Sequence, residues 1–302
     1  MVENVFVEYG RDNEKMTCSI ITITYNNLSG LRKTAESVAA QTYKDMEWIV
    51  VDGASTDGTQ EWLDKMRQDS PVPLKEGDKE TGNAQCRGDN LQIPKFSNVQ
   101  VLSEPDKGVY DAQNKGIGLA KGDFCFFLNA GDAFCGADVV ARMMADCEGA
   151  DIVYGNELVV DAEGRVVEHC KGVDDPGFVD LYNSCMKHQA TFIRRSLFDK
   201  YGNYDSTMRI CADFDWFFRV IAFHDEVRLL YKDVDVAYFE NTGLSYHSPA
   251  LCARERKQIL DRLMPARLQC DYETIGRYPR IVKVRGEWLP QFLLRVANGL
   301  MK

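Results

Sequence analysis

Acidic and amide side chains stand directly after two apolar runs in this chain, a spacing that suits the binding of a polar ligand. Phe124, Cys125, Phe126, Phe127 and Leu128 form a continuous apolar run, as expected of a strand covered on both faces, and the run stops at Asn129, Ala130, Gly131 and Asp132. In open sheets ligands collect beyond the carboxyl ends of strands, so Asn129 and Asp132 stand where one would sit. Asp52 closes a second run, MEWIVV, and a carboxylate there can accept hydrogen bonds from ligand N–H and O–H groups. Asp213 and Asp215 lie near the start of a strongly apolar helical stretch. Residues two apart on a helix point in nearly opposite directions, so only one of them can face a site. Among Phe214, Trp216 and Phe217, desolvation would raise that carboxyl's pKa, the direction that proton abstraction wants.

The elements that must position these groups follow from periodicity. Cys18–Thr24 is β-branched and apolar and reads as a first strand, broken by Tyr25, Asn26 and Asn27. A helix capped by Ser29 follows, with Leu31, Ala35, Val38 and Ala39 on one face. Met46–Val51 is the second strand, DGASTDGT a turn, and Thr59 begins another helix. Residues 70–98 carry Pro71, Pro73, Gly77, Gly82, Gly88 and Pro94 without periodicity, which predicts a surface insertion. Val99–Leu102 is the third strand. Val109–Ala120 is a helix whose Ala112, Gly116 and Ala120 give a narrow face that can press close to a sheet. Alternating strands and helices predict a mostly parallel, wound α/β sheet.

Past Asp132 the pattern predicts a helix over 137–147, a hairpin of 152–161 and 165–171, and a short helix over 178–182. A strand over 190–193, a helix over 196–201 ending at Gly202, a helix over 211–223 and a last strand over 234–239 follow. Residues after Pro249 read as a helical extension, 249–302, appended to one large domain, 1–248.

The composition excludes several classes. A net charge of −10 argues against a nucleic-acid binder, and an anionic substrate would need local help from a metal ion, helix N-termini or placed basic groups. No apolar run is as long as a membrane span, and the first residues lack the basic and apolar regions of a signal peptide, so the expected location is cytoplasmic. The ten cysteines are scattered with no CxxC pair, which favours reduced thiols. Ile281–Met301 mixes Lys283, Arg285 and Arg295 with Trp288, Leu289, Phe292, Leu293 and Leu294. Two readings of this segment stay open: a helix packed on its own domain or on a second subunit of a homo-oligomer, or a basic amphipathic element resting on the inner face of the plasma membrane.

Five segments in order, CSIITITYNN, EWIVVDGASTDGT, SEPDKGVYDAQNKGIGLAKGD, FFLNAGD and ADFDWFFR, resemble the family 2 glycosyltransferases of GT-A fold, over roughly residues 17–245. The Ser-x-x-Asp-Lys-Gly-x-Tyr-Asp-Ala and Asn-x-Gly-Asp forms are similar in particular to bacterial enzymes that assemble exopolysaccharide and other surface glycans. The resemblance implies a nucleotide-sugar half over 17–132 and an acceptor half over 133–248. It implies that Thr24, Tyr25 and Asn26 line base and ribose, that Asp52 takes uracil or ribose, and that Asp106 and Lys107 bind donor, Lys107 as a point charge for diphosphate. Asn129, Ala130, Gly131 and Asp132 fall where the family carries an aspartate pair holding Mg²⁺ or Mn²⁺. Here Asn129 and Gly131 replace acids, leaving Asp132 as the only carboxylate.

The family's base aspartate corresponds to Asp213, with Asp215 its competitor. His188 and Gln189 fall where acceptor or diphosphate is recognised, and His247 where some GT-A enzymes add a metal or phosphate ligand. The resemblance implies an inverting transfer from a nucleotide-sugar donor, a UDP-sugar, to a hydroxyl of a lipid-linked or glycan acceptor. Without the Gln-x-x-Arg-Trp signature of processive synthases, one sugar per binding event is expected. Two rivals remain: a sugar-nucleotide-binding or regulatory protein without catalysis, motivated by the incomplete aspartate motif, and a nucleotidyltransferase. The latter would carry a Gly-rich basic loop where this chain has Tyr25-Asn26-Asn27-Leu28-Ser29.

Overall fold

The computed structural model describes residues 16–69, 96, 98–183, 186–241 and 243–276. Strands β1 (Cys18–Thr24), β2 (Met46–Asp52), β3 (Val99–Ser103) and β4 (Phe124–Phe127) alternate with helices α1 (Leu28–Ala39), α2 (Thr59–Asp69) and α3 (Val109–Leu119). They are followed by β5 (Ala133–Phe134), α4 (Val139–Met144), β6 (Ile152–Val160), β7 (Val166–Cys170), α5 (Phe178–Asn183), a 3-10 turn (His188–Ala190), β8 (Thr191–Arg194) and α6 (Ser196–Tyr201). Helix α7 (Ala212–Ile221), β9 (Leu229–Glu240), α8 (Leu244–His247), α9 (Pro249–Leu263) and α10 (Ala266–Gly276) complete the described chain.

One 9-stranded sheet runs in the order β3-β2-β1-β4-β8-β6-β9-β5, with β7 also paired to β6. β1, β2, β3 and β4 are mutually parallel, as expected of crossover connections. β8 then enters antiparallel to both β4 and β6, so the second half of the sheet is mixed. Because β8 reverses direction twice over, β6 and β9 again run parallel to β4, and their carboxyl ends reach the same edge as those of β1 and β2.

The alternation within β1 divides the core. Ile20 packs with α1, α2 and α4 on one face, and Ile21 packs with α3, α7 and α9 on the other. The narrow face of α3 does press on the sheet: a Cβ placed on Gly116 would lie 2.4 Å from Ile21 Cγ2. Helix α1 is capped by Asn27 rather than Ser29, because the Asn27 side chain accepts from the Gly30 N–H at 3.0 Å. The last strand begins five residues earlier than periodicity indicates, at Leu229, because its first residues are only half-buried and do not alternate cleanly. The turn before His247 is helical, and β5, only two residues long, carries no pattern that could announce it. The expected insertion lies outside the described residues apart from Phe96, which packs on Trp48, and Asn98; so does the basic segment from 281. No described helix is long and apolar enough to cross a membrane, and Cys18, Cys125 and Cys147 are buried free thiols.

Candidate active site

The carboxyl edge of the sheet gathers three groups of side chains. At the ends of β1 and β2, Asp52 is fully buried and accepts from the Ser55 N–H at 3.2 Å, the Ser55 hydroxyl, and the Ser103 hydroxyl at 2.5 Å. These bonds shape the turn after β2, at the position where the resemblance expects a ligand to base or ribose. Asn26, at φ 48°, stitches the same turn from β1, accepting from the Thr56 N–H at 2.7 Å. Tyr25 is 66% exposed, and Thr24 keeps a buried hydroxyl with no partner among the described residues. Tyr25, Gly53 and Asp106 converge: a Cβ on Gly53 would lie 2.5 Å from Asp106 Oδ2 and 3.2 Å from Tyr25 Cδ2. Asp106 accepts from the Gly108 N–H at 2.9 Å, and Lys107 is exposed at the start of α3.

The second group is the loop 129–132. Thr34, on the buried face of α1, holds it: the Thr34 hydroxyl contacts the Asp132 carbonyl at 2.7 Å and the Asn129 carbonyl at 3.2 Å, and accepts from the Gly131 N–H at 3.1 Å. Asn27 donates to the Ala130 carbonyl at 3.0 Å, and Gln113 of α3 to Asn129 Oδ1 at 3.4 Å. Gly131 sits at φ 112°, which a side chain would resist, and Glu240 Oε2 would be 3.2 Å from its Cβ.

Asp132 is 4% exposed; its Oδ1 accepts from the Glu240 N–H at 3.3 Å, and its Oδ2 is buried with no partner among the described residues. Burial is the main cause pushing its carboxyl up to about 7. A buried carboxylate with one unsatisfied oxygen is a fitting ligand for a hard divalent cation that keeps its remaining positions for water and phosphate. Among the described residues no three His, Cys, Asp or Glu side chains are gathered to hold a metal. His247 is exposed at the end of α8 with its ring edge-on to Tyr246.

The third group surrounds Asp213. His188 Nδ1 lies 3.1 Å from Asp213 Oδ2, while the Phe214 N–H at 2.8 Å and the Tyr110 hydroxyl at 3.0 Å reach Oδ1. Burial raises the Asp213 carboxyl, but the His188, Phe214 and Tyr110 hydrogen bonds outweigh it and leave the pKa below the ordinary value. The expectation of a raised pKa fails because the polar neighbours come from α3 and the 3-10 turn, remote in sequence. His188 Nε2 is buried with no partner among the described residues, and Gln189 beside it is 5% exposed. Glu157, 1% exposed on β6, lies 3.7 Å from Lys187 Nζ and is raised by burial.

Asp215 is not at the site. It is buried on the other side of α7, paired with Arg219 at 3.4 Å and with Arg262 of α9, so its oxygens are occupied by guanidinium groups.

Helix α3 links the groups, since Tyr110 and Gln113, one turn apart, reach Asp213 and Asn129 respectively. Tyr110 is the tyrosine of the Ser-x-x-Asp-Lys-Gly-x-Tyr-Asp-Ala form, a signal from which it could have been found, whereas Thr34 and Glu240 carry no signal of their own. Asn156-Glu157 inside the apolar run of β6 is a legible signal, because buried polar residues in a strand require partners.

The family model described as Glycosyl transferase family 2 matches residues 19–225. A "PGL/p-HBAD biosynthesis glycosyltransferase" of Mycobacterium bovis is 33% identical over 231 residues, 75% of this chain and 78% of the relative. An uncharacterised glycosyltransferase of Mycobacterium tuberculosis is 31% identical over 240 residues, 76% of this chain and 78% of the relative. Among solved structures, the mannosyltransferase PcManGT from Pyrobaculum calidifontis, in complex with GDP-Man and Mn²⁺, superposes with TM-score 0.57 at 14% identity, covering 96% of this chain and 81% of that one. S. aureus TarS 1–349 in complex with UDP-GlcNAc gives TM-score 0.52 at 17% identity over 77% of this chain, which spans only 61% of the TarS fragment. These likenesses establish the GT-A fold. With a family match over more than half its length and relatives above 30% identity, the chain belongs to glycosyl transferase family 2 and is a glycosyltransferase.

Proposed function

We propose that the chain transfers one sugar at a time from a nucleoside diphosphate donor, a UDP-sugar, to a hydroxyl of a lipid-linked or oligosaccharide acceptor in surface-glycan assembly, inverting the anomeric centre. The observation that carries this reading is the Asp213 carboxylate, held by His188, Tyr110 and the Phe214 N–H on the same sheet edge as the 129–132 loop. Asp213 accepts the acceptor hydroxyl proton while that oxygen attacks the anomeric carbon; the bond from carbon to phosphate oxygen breaks, and its electrons leave with the diphosphate. Thr24, Tyr25, Asn26, Gly53 and Asp106 frame the nucleoside, and Asp52, which also sets the turn that carries Gly53, takes uracil or ribose. Lys107 supplies positive charge to the diphosphate, and His188 and Gln189 face the acceptor or diphosphate. Asp132 would hold Mg²⁺ or Mn²⁺, with Glu240 beside it and His247 available from α8; the cation supplies charge neutralisation of the leaving diphosphate. Mn²⁺ bound with GDP-Man in PcManGT and UDP-GlcNAc bound in TarS support the donor class. The acceptor class and a cytoplasmic position, at the inner face of the membrane where such acceptors are presented, follow from the surface-glycan reading.

One observation favours a second assignment of the base. A lowered carboxyl pKa suits an orienting group, and His188, with Nδ1 on Asp213 and Nε2 buried without a partner among the described residues, has the arrangement of an imidazole base held by a carboxylate.

The experiment is a thermal-shift and calorimetric panel of UDP, GDP and CDP, each with and without Mn²⁺, followed by nucleoside diphosphate release from the matching sugar nucleotides in wild type, Asp213→Asn and His188→Asn. The expected result is stabilisation by UDP that requires the ion, and release at least a hundredfold slower in Asp213→Asn with UDP binding retained. A loss in His188→Asn that exceeds the loss in Asp213→Asn assigns the base to the imidazole. No response to any nucleotide refutes the transferase site as drawn.

A further inference from the structure

Helix α9 lies beyond the family match, which ends at residue 225, yet it enters the scaffold of the base. Glu255 projects from α9 and is 6% exposed. Its Oε1 accepts from the Arg209 N–H, and its Oε2 from the Ile210 and Cys211 N–H groups, each at 3.0 Å. These amides immediately precede α7, whose N-cap is Cys211, a residue that makes no side-chain capping bond. The Cys211 amide has no intrahelical partner, the Arg209 and Ile210 amides lie just outside the helix, and a buried carboxylate that accepts all three satisfies them and complements the positive end of the helix.

The Ile210 peptide is held from both sides. Its N–H goes to Glu255, and its carbonyl accepts from the Tyr110 hydroxyl, the same hydroxyl that lies 3.0 Å from Asp213 Oδ1. Tyr110 has a single proton for those two acceptors, so the position of the Ile210 carbonyl decides how much of it Asp213 receives. A continuous chain therefore runs from Glu255 through the Ile210 peptide and Tyr110 to Asp213. Other contacts register α9 against α7: the Arg256 guanidinium lies 3.9 Å above the Phe214 ring, adjacent to Asp213, and Arg262 pairs with Asp215.

We infer that Glu255 is a positioning residue for the transfer reaction: it anchors the 209–211 turn so that Tyr110 and Asp213 meet, making α9 part of the active-site scaffold. This rests on the function proposed above, with Asp213 at the reacting hydroxyl. Glu255→Gln keeps size and one acceptor but turns an NH₂ toward an N–H donor, breaking the cage with little change in volume. Glu255→Asp keeps the charge and shortens the reach.

The test joins a substrate-free measurement to turnover. Amide hydrogen exchange across 208–214 is compared in wild type, Glu255→Gln and Glu255→Asp. Nucleoside diphosphate release from UDP-glucose, UDP-GlcNAc and GDP-mannose, with water as acceptor, is followed from pH 5 to 9, and donor affinity is measured by calorimetry. The expected result for Glu255→Gln is faster exchange confined to that peptide, donor affinity within twofold of wild type, and release at least tenfold slower per bound donor. The acid limb of its pH profile moves from its wild-type position, because the Tyr110 proton is redistributed between the Ile210 carbonyl and Asp213, and that hydrogen bond is one of those that lower the Asp213 pKa. Glu255→Asp falls between the two. Arg262→Met, which loosens α9 at Asp215 instead, lowers the melting temperature but leaves the pH profile in place; this separates positioning from general loss of stability. Unchanged exchange at 208–214, or a Glu255→Gln chain with wild-type release and pH profile, overturns the inference alone. A wild-type chain that releases no diphosphate from any of the three donors overturns the transferase reading, and the inference with it.

Discussion

Replacing Asp132 by Asn tests the buried carboxyl at the centre of the candidate metal site through its effect on folding. In the unfolded chain this carboxyl titrates near its ordinary value of 3.8; in the folded protein, burial pushes it up to about 7. A group whose folded pKa is raised contributes stability that is fully present below the unfolded pKa and is lost as pH rises through the folded pKa. The window therefore runs from about pH 4 to about pH 7, and stability falls across it. Three pKa units at 1.36 kcal/mol each give a full effect on the order of 4 kcal/mol, of which about 3 kcal/mol lies between pH 5 and pH 8. Asn does not ionise, so Asp132→Asn lacks this loss. Urea unfolding of both proteins at pH 5 and pH 8 in the presence of EDTA reads the difference directly. The wild type is expected to lose about 3 kcal/mol relative to the variant on going to pH 8. Saturating Mn²⁺ at pH 8 is expected to restore much of that loss to wild type only, since a cation bound to the folded state stabilises it by mass action. A wild-type-minus-variant difference that stays constant from pH 5 to pH 8 refutes the argument, because the carboxyl would then not be raised.

Thr34→Val keeps the shape of the side chain but removes the hydroxyl shared by Gly131, Asn129 and Asp132; it is expected to cost roughly 1–3 kcal/mol in urea unfolding and to weaken Mn²⁺ binding in the same titration. Gly53→Ala is expected to leave the melting temperature within about 2 °C of wild type, since the added Cβ meets the movable end of Asp106, a cost of under about 1 kcal/mol. Its donor affinity, read by calorimetry, is expected to fall about tenfold as Asp106 and Tyr25 are displaced.

The first half of the chain was largely legible because its signals are local. Each strand there is rich in β-branched, aromatic or other apolar residues and ends in turn-forming polar residues, so Asp52 and Asn129–Asp132 could be assigned to the sheet edge from spacing alone. The small-residue face of α3 was equally readable, since Gly116 has to admit Ile21. The opposition of Asp213 and Asp215 also follows from helical periodicity, although the side facing the site does not.

Sequence alone thus determined which stretches form the parallel half of the sheet, which polar residues stand at its carboxyl edge, and the family. Only the tertiary structure decided what those residues touch. Asp52 accepts from Ser55 and Ser103, Asp215 pairs with Arg219 and Arg262, and Asp213 is lowered chiefly by His188 of the 3-10 turn, with Tyr110 of α3 adding to it. Thr34, Glu240 and Glu255 reach the site from 98, 108 and 44 residues away from their respective partners Asp132, Asp132 and Cys211. The physical reason is range: strand and helix propensities act within a few residues, whereas the pKa of a carboxyl depends on desolvation and on hydrogen bonds that exist only once distant segments are packed together.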